Sequence, residues 1–238
     1  MIHITITGTG TDVGKSVIAS GLTRLLSRQG PTLAFKPYET GVDGVDNVDD
    51  GGIDAALLRK AANDPAFRLR SRYRLDLPIA PAAAVLEDRA APSSSTLIAE
   101  EILIHAQGKH TLVEGAGGLM VPLNGTETFL DFALKLAFPV ILVTPDCLGT
   151  LSHTLCAWRV AQAAGLNVCA VILNRREERG EADISQRTNL AVLESFGLPL
   201  IRFGPVDPNN MDQLADGLAK TSLLRRIADS QIYDLDDR

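Results

Sequence analysis

Apolar and β-branched residues open the chain almost without a break, and Ile2-His3-Ile4-Thr5-Ile6-Thr7 predicts a buried strand. A glycine-rich turn follows, after which the apolar period lengthens. Val17, Ile18, Leu22, Leu25 and Leu26 fall at helical spacing, and Gly30-Pro31 stops that run. Leu33-Ala34-Phe35 predicts a second strand. The alternation then continues, with strands expected over residues 111–113, 139–143, 167–173 and 198–203. Helices are expected over 53–62, 96–107, 150–164, 184–196 and 211–228. Near-continuous apolar strands separated by helices predict an α/β fold with a doubly wound, mostly parallel sheet flanked by helices. With no internal repeat and no Pro/Gly/Ser linker, residues 1–238 are expected to form one domain. Residues 43–52, rich in Asp and Gly, are expected to be a mobile loop, and 234–238 a solvated tail.

Composition narrows the function classes. Hydrophobic residues make up 45% and charged residues 22% of the 238, as in ordinary globular proteins. A net charge of -6 gives no general attraction to nucleic acid or to anionic membranes, although it leaves room for a local lysine cluster. No apolar run approaches the roughly 20 residues of a membrane helix. Residues 1–8 carry neither the basic segment nor the cleavage-like end of a signal peptide, so a cytoplasmic location is expected. Cys147, Cys156 and Cys169 fit no zinc spacing and are expected to be reduced packing residues.

The most informative stretch is Gly8-Thr9-Gly10-Thr11-Asp12-Val13-Gly14-Lys15-Ser16, set between a strand and a helix. That context suits a phosphate-binding loop of the P-loop NTPase type. Glycines let backbone N–H groups turn toward phosphate oxygens, and the helix N-terminus adds a favourable dipole. Lys15 supplies charge for the β- and γ-phosphates, and Ser16 a hydroxyl for Mg²⁺. The loop is one residue longer than the usual pattern, with Thr9 where a glycine is customary. A dinucleotide site is disfavoured, because Gly8, Gly10 and Gly14 do not make G-x-G-x-x-G and the second strand runs into Lys36 instead of an acid.

Other residues carry two readings each. Glu114 closes the strand 111–113 ahead of Gly115-Ala116-Gly117-Gly118, a position that points a carboxylate into a ligand crevice. Asp54 reads locally as a helix N-cap or as a second metal carboxylate, with the cap favoured. Lys36 reads as a solvated strand-end lysine or as a second cation facing the transferred phosphate. Asn174 reads as a turn residue or as a reader of an adenine edge.

In order and spacing these segments resemble the dethiobiotin synthetases. The likeness is carried by the phosphate loop, Lys36-Pro37-Tyr38-Glu39-Thr40-Gly41, Asp54, Glu114-Gly115-Ala116-Gly117-Gly118 with Val121-Pro122-Leu123, Leu148-Gly149-Thr150-Leu151-Ser152-His153, and Asn174. The resemblance implies a homodimeric, Mg²⁺-dependent ligase that uses ATP to join CO2 to 7,8-diaminononanoate and close a cyclic urea. Under it, Gly10, Thr11, Asp12, Val13, Gly14, Lys15, Ser16, Val17, Glu114 and Asn174 would contact nucleotide. Lys15, Lys36 and Thr11 would act on the reacting groups. Ser16, Asp54 and Glu114 would hold Mg²⁺ directly or through water. Thr40, Gly117 and Gly118 would contact substrate, and Leu148, Gly149 and Thr150 would support its carboxylate across the dimer. An ordinary strand–helix turn is the alternative reading of that last loop.

The sequence departs from the resemblance in places. Pro78-Ile79-Ala80-Pro81-Ala82 stands where relatives often have Ser-Pro-His, so no role is assigned there. Asp12 stands where Glu is common, and Gly204-Pro205-Val206-Asp207 is only a weak adenine-side candidate. His105, His110 and His153 are scattered and expected to be structural. Two rival functions share the phosphate-binding half. Cobyrinic acid synthase-type amidoligases normally continue into a glutamine-hydrolysing domain with a cysteine nucleophile. ATPase switches similar to septum-site or plasmid-partition proteins usually carry an extra lysine early in the loop, which Gly8-Thr9-Gly10 lacks.

Overall fold

The computed structural model describes residues 1–42, 52–63, 72–175 and 184–233. The expected mobile loop at 43–51 and the expected tail at 234–238 lie outside these residues.

Eight strands and eight α-helices alternate along the described chain. They are β1 (His3–Gly8), α1 (Lys15–Ser27), β2 (Thr32–Phe35), β3 (Tyr38–Thr40), α2 (Ile53–Ala62), β4 (Tyr73–Leu75), α3 (Ser95–Ala106), β5 (His110–Glu114), α4 (Phe129–Leu136), β6 (Val140–Pro145), α5 (Thr150–Ala163), β7 (Val168–Asn174), α6 (Asn189–Ser195), β8 (Leu200–Phe203), α7 (Met211–Ala219) and α8 (Leu223–Tyr233). Six strands form one sheet in the order β2-β5-β1-β6-β7-β8, and every pairing in it is parallel. β3 and β4 make a separate parallel pair. The doubly wound parallel sheet expected from the apolar strands is therefore present.

Alternation along each strand sends neighbours to opposite faces. Ile4, Ile6 and Leu112 pack with Ile18, Leu22, Leu214 and Leu218 under α1 and α7. On the other face Phe35 and Val113 pack with Ile102, Phe129 and Phe132 under α3 and α4. Phe132 is fully buried and meets Tyr38 edge-on at 5.6 Å, so truncating it to Ala would cost about 3–5 kcal/mol.

Among the helices the sequence reading needs correction in three places, and the strands β3 and β4 were not expected at all. The helix expected over 211–228 is two helices. Thr221 Oγ1 accepts from the Leu223 amide at 3.2 Å and restarts the chain, while the apolar period runs through both halves and hides the break. The helix expected over 184–196 begins as a 3-10 turn, Ile184–Arg187, and becomes α6 only at Asn189. α4 was not expected. Its signal was a capping box, in which the Asp131 carboxylate accepts from the Thr128 amide at 2.7 Å ahead of the Phe132 and Leu136 stripe. No described helix is long and apolar enough to cross a membrane.

Candidate active site

β1 lies at the point where the chain turns from one side of the sheet to the other, and its carboxyl end opens into the glycine-rich loop. Two left-handed residues shape that loop: Asp12 at φ 55 and Gly14 at φ 95. Asp tolerates this region better than most residues. Gly14 has a second requirement, because a Cβ there would collide with the Asn174 side chain. Gly14 is the N-cap of α1 and offers no side chain, so the first amides of α1 face the cleft without an intrahelical acceptor.

The cleft holds about 280 Å³ and is lined by Thr11, Asp12, Gly14, Lys15, Ser16, Val17, Lys36, Tyr38, Glu39, Thr40, Asp54, Ala116 and Gly117. Most residues expected at the site thus meet in one place. Gly10, Val13, Gly118, Glu114 and Asn174 support its wall. The Gly10 carbonyl accepts from Lys15 Nζ at 2.7 Å. The Val13 carbonyl accepts from Asn174 Nδ2 at 3.1 Å, which ties the end of β7 to the phosphate loop. Gly118 lies directly against the Gly8–Gly10 backbone.

Lys36, just beyond β2, is buried and not a solvated edge residue. Its ammonium bridges Glu114 Oε1 at 2.6 Å and Asp54 Oδ2 at 2.7 Å, and donates to the Gly115 carbonyl at 3.2 Å. Ser16 Oγ donates to the same Glu114 oxygen at 2.7 Å. Burial would lower the Lys36 pKa, but Glu114 and Asp54 more than reverse this and hold it above the ordinary lysine range. Asp54 sits below the usual carboxylate range, because Lys36 and hydrogen bonds outweigh the opposing effect of burial. Lys15 goes the other way. Burial, and then repulsion from Lys36, bring its pKa down to about 8.

Asp54 is not the cap of α2. That position is Gly52, and Asp54 is the second helical residue, turned into the cleft. Glu39, unassigned from sequence, accepts from the Asp54 amide at 2.8 Å and the Gly52 amide at 3.2 Å. Burial raises its pKa above the usual carboxylate range. Its signal in the sequence was only an acid between Tyr38 and Thr40 in a three-residue strand.

The oxygen set suits Mg²⁺. Ser16, Asp54 and Glu114 converge, and Glu114 Oε2 is buried without a hydrogen-bond partner among the described residues. Among the described residues no group of three or more His, Cys, Asp or Glu forms a closed metal cage. Two carboxylates and a hydroxyl fit an ion that keeps waters and takes phosphate oxygens.

Leu148, Gly149 and Thr150 are not brought into this cleft. Leu148 is 84% exposed. Gly149 is the left-handed N-cap of α5. The Thr150 hydroxyl turns inward to Thr144 Oγ1 at 2.8 Å, and Thr9 Oγ1 reaches the same Thr144 at 3.2 Å. His110 Nδ1 accepts from the Ile2 amide at 3.0 Å and does not line this cleft.

Known proteins resemble the chain in sequence and in shape. A family described as an AAA domain matches residues 3–201. An ATP-dependent dethiobiotin synthetase of Caulobacter sp. (strain K31) is 37% identical over 206 residues, covering 82% of this chain and 84% of that one. The enzyme of the same name from Aquifex aeolicus is 36% identical over 196 residues, with the same coverage of each chain. Among solved structures, a putative plasmid partition protein from Borrelia burgdorferi bound to AMPPNP superposes with a TM-score of 0.54. It is 12% identical and covers 98% of both chains. A septum site-determining protein from Pyrococcus horikoshii complexed with Mg-ADP superposes with a TM-score of 0.51, at 20% identity, covering 95% of this chain and 92% of that one. At these identities the structural likeness shows the fold alone.

Proposed function

The chain belongs to the dethiobiotin synthetase family of ATP-dependent ligases, and from that premise we propose how its residues carry the reaction. The activity is the ATP- and Mg²⁺-dependent ligation of CO2 with 7,8-diaminononanoate, giving dethiobiotin, ADP and phosphate. One substrate amine takes up CO2 as a carbamate. The carbamate oxygen attacks the γ-phosphate, and the second amine then attacks the carbonyl of the mixed anhydride and releases phosphate. Both nucleophiles belong to the substrate, so the protein's task is positioning and charge neutralisation.

The observation that carries the assignment is the convergence of Lys15, Lys36, Asp54 and Glu114 on one cleft beside the phosphate loop. In this reading the amides of residues 14–17 and Lys15 hold the β- and γ-phosphates, with Thr11 at the cleft's rim. Lys36 stabilises charge on the carbamate oxygen and the migrating phosphoryl group. Ser16, Asp54 and Glu114 would hold Mg²⁺, which when bound neutralises phosphate charge. Thr40, Gly117 and Gly118 face the diamine, and Asn174 sits on the adenine side. The chain acts as one domain in a cytoplasmic homodimer. Leu148 to Thr150 serve the partner's substrate: a helix N-terminus attracts a carboxylate, and this turn lies outside its own chain's cleft.

The test is an assay of purified protein with the diamine, bicarbonate, Mg²⁺ and ATP. Phosphate release that requires the diamine and matches dethiobiotin formed is expected. Release independent of the diamine would select an ATPase switch instead.

A further inference from the structure

Helix α2 begins in an unusual way. Its N-cap is Gly52, which has no side chain to cap the first amides. A carboxylate from another element takes that place. Glu39, on β3, is 5% exposed. It accepts from the amides of Gly52 at 3.2 Å and Asp54 at 2.8 Å, and the Ala55 amide adds a third contact. Gly52 is needed for this approach, since a Cβ there would overlap the Glu39 carboxyl group. The capped residue is also the one whose side chain reaches Lys36 Nζ at 2.7 Å. The strand that leaves Lys36 therefore returns three residues later to grip the backbone of Asp54.

We propose that Glu39 is a positioning residue, which caps α2 from β3 and so fixes the Asp54 carboxylate in register with Ser16, Lys36 and Glu114 for the Mg²⁺–nucleotide complex. Glu39 acts on the reaction through Asp54. The pair Glu39 and Gly52 forms one device: the acid supplies the cap and the glycine the space for it. The inference rests on the assignment of Asp54 to the Mg²⁺ site.

The test measures binding of a non-hydrolysable ATP analogue by calorimetry, with and without Mg²⁺, in the intact protein. Removing a group that orients a metal ligand typically costs about 10–100-fold in metal affinity. Glu39→Ala is expected to reduce the gain in analogue affinity conferred by Mg²⁺ about tenfold, with a smaller change in Mg²⁺-free affinity. Hydrogen exchange at the Asp54 and Ala55 amides should quicken in the same variant. Glu39→Gln, which keeps one acceptor of similar reach, should recover part of both effects. Gly52→Ala should copy Glu39→Ala by displacing the carboxylate, and should add nothing in a Glu39→Ala background, because the two act as one unit. Additive effects, or an unchanged Mg²⁺ gain in Glu39→Ala, would overturn the proposal. Asp54→Asn separates the two layers. Loss of the Mg²⁺ gain in Asp54→Asn but not in Glu39→Ala overturns the positioning role alone. Retention in Asp54→Asn overturns the metal assignment and the inference with it.

Discussion

Around Lys15 the chain buries charge and cross-links it, whereas at the turn before α5 it exposes a large apolar side chain and hides its hydroxyl. Lys15, Lys36 and Glu114 are all buried, and Lys36 is held by two carboxylates at 2.6 and 2.7 Å. In the turn Leu148 is 84% exposed, and Thr150 spends its hydroxyl on Thr144. The phosphate end is thus organised by side chains within one chain. The turn offers mainly backbone amides, and what binds there depends on what lies against it. The two are linked through Thr9, whose hydroxyl meets Thr144 at 3.2 Å.

The largest effects should come from the phosphate end. Lys15→Gln and Lys36→Gln are each expected to lower kcat/KM by about 10²–10³-fold, the scale for loss of one preorganised charge-stabilising donor. Lys15→Gln should also weaken nucleotide binding, measured by calorimetry. Near-native turnover in both variants would break the contrast at its stronger side.

At the turn, Leu148→Asp should raise KM for the diamine about tenfold and leave KM for ATP unchanged. A like charge placed against a substrate carboxylate costs on the order of 1 kcal/mol or more at close range. Steady-state kinetics, with sedimentation to follow subunit association, would check this. A matched rise in KM for ATP would mean that the turn is not separate from the phosphate end.

A smaller effect should follow from Thr150→Val. Its hydroxyl faces the interior, so the loss should appear as roughly 1 kcal/mol of stability in denaturant unfolding, with little change in KM for the diamine. A large change in that KM with unaltered stability would place the hydroxyl on the ligand.

The smallest effect is a proton count. With its pKa brought down to about 8 from 10.5, Lys15 sheds its proton in the free protein as pH rises through 8. Phosphate favours the charged form, so nucleotide binding should take up a proton between about pH 8 and 10.5, and affinity should fall as pH rises through 8. For folding, the unfolded chain binds more protons than the native one in this window. The contribution of Lys15 to stability therefore rises with pH there. Calorimetry in buffers of different ionisation enthalpy at pH 8.5 would show the uptake, and Lys15→Gln should abolish it.

The sequence made the parallel sheet legible because strands buried on both faces read as unbroken apolar runs. It made the phosphate loop legible because glycines, Lys15 and Ser16 are consecutive. Lys36, Asp54 and Glu114 each carried a ligand-site reading from their local positions, which the family likeness reinforced, yet local sequence favoured a cap for Asp54. The cap lies instead on Glu39, a residue of β3 whose carboxylate meets the first amides of α2. Such a contact has no local spacing to announce it. The break at 220–222 was hidden for a related reason, since both helices keep the same apolar period while a single threonine hydroxyl resets the backbone.

A crystal structure with Mg²⁺ and a non-hydrolysable ATP analogue tests the phosphate end most directly. The expected result is a triphosphate lying on the amides of residues 14–17, with Lys15 Nζ and Lys36 Nζ both within hydrogen-bond reach of the terminal phosphate and the ion beside Ser16, Asp54 and Glu114. A nucleotide seated elsewhere, or one whose terminal phosphate meets neither lysine, would contradict it.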